Sequence, residues 1–182
     1  MNNPVLEAIR ARRIARALDD RPLEHALLED VLRAARWAPS AGNRRLHHFV
    51  AVEDGRTIAV LRMVSPGMLQ RPPALVLICI DRARARAFGM PPSAKGLYVD
   101  VGTTAQTMLL AAHSLGLGAG IVTSFSQAAV REVLNLPEGL SPEMFICLGY
   151  ASAVQPPAIR PRAPVTWEGL TSWERFPTRR EG

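Results

Sequence analysis

Residues 98–115, YVDVGTTAQTMLLAAHSL, constrain how the rest of the chain is arranged. They read as a helix that is apolar on most of its circumference, so it must be enclosed by the core on one side and by something else on the other. A second subunit would serve. A membrane would not, because the apolar window over 102–122 contains Gln106, His113, Ser114 and several glycines. Upstream, 74–80 (ALVLICI) is an unbroken run rich in β-branched residues, the pattern of a central strand buried on both faces. Downstream, GLGAG at 116–120 ends the helix and leads into a strand over 119–123. A helix capped by Ser126 then runs to about 134, and a strand follows over 144–150.

Further out, apolar residues at Leu27, Leu28, Val31, Leu32 and Ala35 recur at helical spacing over 24–37, and Pro39 stops that helix. Residues 4–12 predict a first helix, 48–53 (HFVAVE) a strand closed by an Asp54-Gly55 turn, and 56–63 a short helix. After Tyr150 the prolines at 156, 157, 161, 164 and 177 exclude regular helix. Trp167, Trp173 and Phe176 make this tail, 151–182, too aromatic to lie free; it needs a surface, its own or a partner's.

The chain has 182 residues, 48% hydrophobic and 21% charged, which suits one domain over 1–182 and leaves little room for two. The basic residues number 22 against 16 acidic, for a formal charge of +6, and all but Lys95 are arginine. That skew has two readings. One is coding bias; the other is recognition of phosphate, for which the planar guanidinium fork is suited. Nucleic acid is disfavoured as a partner by the absence of helix-turn-helix or zinc spacing and by only 5% aromatic residues. The N-terminus has no apolar core of the length a secretion signal needs, and Cys79 and Cys147 sit within apolar runs without metal-ligand spacing. A cytoplasmic protein with reduced thiols, no bound metal and no membrane contact is expected.

Three constellations carry chemical potential. Arg12, Arg13 and Arg16 cluster near the start, and Arg160 and Arg162 lie in the prolyl tail; together they form a phosphate clamp if the fold joins them, and otherwise two solvated patches. Residues 38–43 (APSAGN) follow a helix stop with small residues that admit close backbone approach to a flat ligand. GLGAGIVTSF at 116–125 lacks the glycine order of a nicotinamide-binding Rossmann turn and a P-loop lysine. No nucleophile–base pair or carboxylate pair is recognisable, so no catalytic side chain is named and a cofactor must carry any chemistry.

Taken in order, the pieces RRIAR at 12–16, APSAGN at 38–43, HFVAV at 48–52, VDVGTTAQTMLLAAHSLGLG at 99–118, LGY at 148–150 and Arg160-Pro161-Arg162 resemble the FMN-dependent nitroreductase family over nearly the whole chain. The resemblance implies an α+β fold with a mostly antiparallel central sheet flanked by helices. It also implies a homodimer with two FMN sites at its interface and a tail that crosses the partner. Position by position, it implies that Arg12, Arg16, Arg160 and Arg162 hold the phosphate and that Arg13 contributes to the phosphate or ribityl end. Pro39, Ser40, Ala41 and Asn43 would border the flavin ring from the other subunit. Val122, Thr123 and Ser124 would bring a backbone amide to N5, with Gln70 at the ring's polar edge.

The activity implied is ping-pong transfer of hydride from NADH or NADPH, through flavin N5, to a small electron-poor acceptor of nitroaromatic or quinone type. The same architecture also hosts dehydrogenation, dehalogenation and flavin fragmentation, and a basic polyanion-binding protein is the reading from another class. The chain departs from the family pattern where Ile14 replaces a serine, and where Asn-x-Gln-Pro-Trp becomes Asn43-Arg44-Arg45-Leu46-His47. Arg45 either brings positive charge to the ring or substrate or points outward.

Overall fold

The computed structural model describes residues 3–91, 93–157 and 165–176. Strands β1 (His47–Val52), β2 (Ala74–Asp81), β3 (Gly118–Val122) and β4 (Leu140–Gly149) form one antiparallel sheet in the order β1-β2-β4-β3. The unbroken run at 74–80 is β2, paired on both sides and buried along its length to Ile80. Alternation sends Val76, Ile78 and Ile80 into one core and Leu75, Leu77 and Cys79 into another. Helices α1 (Pro4–Ala11), α2 (His25–Ala35) and α5 (Lys95–Ser114) lie on the first face; α3 (Gly55–Met63) and α6 (Gln127–Val133) cover the second. This three-layer α+β arrangement is the reason a fully apolar strand can sit between antiparallel neighbours.

Local chemistry sets most of the boundaries. The Asn3 side chain accepts from the amides of Val5 and Leu6, Asp54 from Thr57, and Ser126 from Ala129, capping α1, α3 and α6. Gly116 turns at φ 73°, the left-handed conformation the glycine-rich segment predicts. Asp54-Gly55 opens a helix rather than merely closing a strand. α5 starts three residues earlier than its apolar pattern, at Lys95, and β4 starts at Leu140, with a register shift opposite Ile78/Cys79. A short helix α4 (Arg82–Ala87), capped by Asp81, was not predicted because RARARA has no apolar face.

Cys79 and Cys147 are buried and free, and burial pushes both thiols up to about 12. Among the described residues no helix is long and apolar enough to cross a membrane, and no cluster of His, Cys, Asp or Glu could hold a metal ion. In the tail, Trp167, Leu170, Trp173 and Phe176 are exposed, so its described part does not find its surface on this copy of the chain.

Candidate cofactor site

The segment after α1 runs along the outer edge of β3. Ile14 bridges Ala119 in parallel fashion, and the Ala15 amide donates to Ala119 O at 2.9 Å. This pairing aligns three arginines beside the strand. Arg12 is half-buried, and its Nε and Nη1 are buried without a hydrogen-bond partner. Such orphaned donors are costly unless a ligand supplies acceptors. Arg13 is exposed and its Nη1 donates to the carbonyls of Arg10 and Arg12, so it is already engaged with its own backbone. Among the described residues none of these three arginines takes part in an ion pair.

Gln70 is buried beside them. Its Nε2 donates to Ala15 O at 3.0 Å, while its Oε1 is buried and unpartnered. Close packing fixes that amide: a Cβ on Gly120 would come 2.4 Å from Gln70 Nε2 and 2.9 Å from Ala15 O. Val122 is buried, whereas Thr123 and Ser124 emerge at the strand's end, where Gly67 donates its amide to Ser124 O at 3.1 Å. The predicted residues Arg12, Arg13, Arg16, Gln70, Val122, Thr123 and Ser124 are therefore brought to one sheet edge. Their unmet needs are complementary: buried guanidinium donors call for an oxyanion, and a buried amide oxygen calls for a ring N–H. FMN, with a phosphate and a flavin N3–H, fits both. Arg160 and Arg162 lie outside the described residues.

Pro39, Ser40, Ala41 and Asn43 are elsewhere, in the loop leading into β1 at the opposite edge of the sheet. The loop includes a single 3₁₀ turn, Ala41–Asn43, and takes left-handed backbone at Gly42, Asn43 and Arg45. α5 holds it in place. The buried Asp100 carboxylate accepts the Ala41 amide at 2.9 Å, and Thr103 Oγ1 donates to Pro39 O at 3.0 Å. These residues, with Ser40 and Gly96, line a shallow cavity of about 230 Å³. Burial, with the positive charges of Arg45 and Arg84, lowers the His47 imidazole below its ordinary value against the opposing pull of Asp100.

Three contributors went unrecognised in the sequence. Gln155 Oε1 accepts the amides of Arg16 (2.8 Å) and Ala17 (3.1 Å), and its Nε2 donates to Ala17 O at 2.7 Å, tying the start of the tail to the arginine segment. Beside two prolines it reads only as linker. Asp100 and Thr103 sit in the apolar helix, where an isolated carboxylate was the available signal, since a buried charge is kept only for a partner.

The chain matches the Nitroreductase family model over residues 9–68 and 60–150. It is 33% identical over 153 residues to the "Putative NADH dehydrogenase/NAD(P)H nitroreductase" of Methanothermobacter thermautotrophicus, covering 80% of this chain and 76% of that protein. It is 27% identical over 180 residues to the FMN reductase (NAD(P)H) of Bacillus subtilis, covering 89% of this chain and 71% of that protein. Among solved structures, a nitroreductase family protein from Clostridium difficile 630 superposes with a TM-score of 0.78 at 26% identity, over 97% of this chain and 100% of that one. The order of motifs, the antiparallel three-layer fold and these matches agree: the chain belongs to the nitroreductase family.

Proposed function

We propose that the protein is a homodimeric FMN-dependent oxidoreductase that transfers hydride from NADH or NADPH to a small electron-poor acceptor, nitroaromatic or quinone in type. The observation that carries this reading is that orphaned groups of two kinds belong to the same edge of the sheet: the donors Arg12 Nε and Nη1, and the acceptor Gln70 Oε1. Arg12 and Arg16, joined by Arg160 and Arg162 from the tail, hold the phosphate. Gln70 would orient the polar edge of the ring, and the backbone at Val122, Thr123 and Ser124 would supply the amide for N5. When bound, FMN would supply the two-electron chemistry that a ping-pong transfer of hydride from the nicotinamide to the second substrate requires. No side chain need act as acid or base, because protons reach the product from solvent.

The second copy completes the site. One copy's arginine edge lacks a wall for the ring, and the other copy's residues 39–43 provide it. An apolar groove of about 470 Å³ between α1, α2 and α5, lined by Val5, Ala34, Thr107 and Leu110, supports such pairing, as do the exposed Leu6 and Ile9. The exposed tail aromatics then lie across the partner. The test is a visible spectrum of the purified protein followed by anaerobic mixing with NADPH and with NADH. A yellow protein bleached by either is expected; a colourless protein that takes up no added FMN overturns the reading.

A further inference from the structure

Beyond the phosphate clamp, a second group of arginines stands at the loop into β1. Arg44 and Arg45 follow Asn43 directly, and Arg84 comes to them from α4, its Nη1 reaching Arg45 O at 3.5 Å. Arg44 places its guanidinium 4.9 Å from the Phe88 ring centroid, and that ring is half-exposed. Among the described residues none of the three takes part in an ion pair. The nearby carboxylates are committed to backbone: Asp81 accepts the Arg84 amide and Asp100 the Ala41 amide. Three cations thus share one surface without an ion-pair partner among the described residues, an arrangement that a visiting anion would relieve.

The backbone makes the placement deliberate. Arg45 is held at φ 49°, a left-handed conformation that is strained for a residue with a Cβ. Ser40 Oγ accepts its amide at 3.1 Å, so the turn that presents it is locked from inside the same loop. Arg45 thereby sets a permanent positive charge at the margin of the segment proposed above to border the ring.

We infer that Arg45 and Arg84, flanked by Arg44, bind an anionic substituent of the planar substrate turned over at the flavin, a carboxylate, sulfonate or phosphate held beyond the stacked ring. The inference rests on the flavin reading. The anion has two possible sources, a charged group on the acceptor or the 2′-phosphate of NADPH, and both present the same oxyanion to the same guanidinium forks.

Two ratios of kcat/KM separate the sources in the FMN-loaded dimer: 4-nitrobenzoate over 4-nitrobenzyl alcohol as acceptors, and NADPH over NADH as donors. In Arg45→Met/Arg84→Met at least one ratio is expected to fall about tenfold or more, and the pair that moves identifies the source. Titration of the oxidised protein, read from the flavin absorption band, should show a matching loss of affinity for 4-nitrobenzoate or for 2′,5′-ADP. Arg45→Lys, which keeps the charge, should retain most of the ratio, and Arg86→Met on the same helix should leave it unmoved. Should the double variant fail to fold, Arg45→Met alters only an exposed side chain and carries the same test. Both ratios unchanged within about twofold, or an equal fall with charged and neutral substrates, overturns the inference while leaving the flavin reading intact. A protein that takes up no FMN overturns both.

Discussion

The two edges of the sheet solve opposite problems. At β3 the arginine segment is pinned to a strand by backbone pairing and to Gln155 by a three-bond amide clasp, and it holds its unmet donors inside the protein. At β1 the loop is suspended from α5 by one carboxylate and one hydroxyl, with strained backbone and guanidinium groups facing out. The buried edge is specified by what it lacks, and so is suited to a resident group that never leaves. The open edge is specified by a strained conformation and surplus charge, features suited to molecules that come and go. The order β1-β2-β4-β3 puts these edges three strand spacings apart, about 14 Å. On the proposed function, one copy therefore supplies the two parts of the site at separate edges and a second copy joins them.

The sharpest way to break this contrast is at the buried edge. Arg12→Ala/Arg16→Ala should weaken FMN binding by about two to four orders of magnitude, at about 1.5–3 kcal/mol per charge-assisted hydrogen bond, as read by fluorescence titration of the flavin. Undiminished affinity would place the phosphate elsewhere. Gly120→Ala should cost about 1–3 kcal/mol of stability and displace Gln70, because the added Cβ meets backbone at Ala15 O as well as the amide. Chemical denaturation measures it, and a neutral result would mean that the arginine segment is loosely held.

At the open edge, Asp100→Ala leaves the Ala41 amide without its acceptor and should cost about 1–2 kcal/mol while lowering turnover more than it lowers FMN affinity. An equal loss of both would show that the loop and the clamp are a single unit. The smallest effect concerns the outer end of β1. His25 bonds Glu53 at 2.7 Å and lies 3.6 Å from Glu29; its hydrogen bond to Glu53, together with that residue's charge, raises its pKa above 6.5. Because the folded value is raised, the stabilisation is present in full below about pH 6.5 and is lost as pH rises through the higher folded value. Thermal melts of wild type and His25→Gln across pH 5–8 should converge at the alkaline end; a constant offset would assign the pair no titrating role.

Much of this layout was legible because it follows from local rules. The run at 74–80, rich in β-branched residues, suits a strand covered on both faces, the spacing in 24–37 an amphipathic helix, and Ser126 sits where a cap belongs. What stayed hidden depends on contacts across the chain. RARARA becomes helical under an Asp81 cap and β4 contacts, Gln155 acquires its meaning from Arg16 and Ala17, and Asp100 from the Ala41 amide. The candidate site residues were legible as types and as members of a family pattern. Their division between two sheet edges was not, since strand order is not written in any local stretch.

The bridge between Ile14 and Ala119 has a further meaning for solubility. β3 is the last strand of its sheet, and an uncovered last strand offers free amides and carbonyls to any other extended chain. Residues 12–18 cover it: Ala15 bonds Ala119 O, and Gly118 is so close to Leu18 and Ala15 that a Cβ there would sit 2.9 Å and 3.0 Å from them. The segment proposed to receive the phosphate is thus also the guard against strand-to-strand aggregation. Deleting it should yield insoluble protein rather than a soluble apoenzyme, which ties the chain's capacity to bind its cofactor to its capacity to remain dispersed.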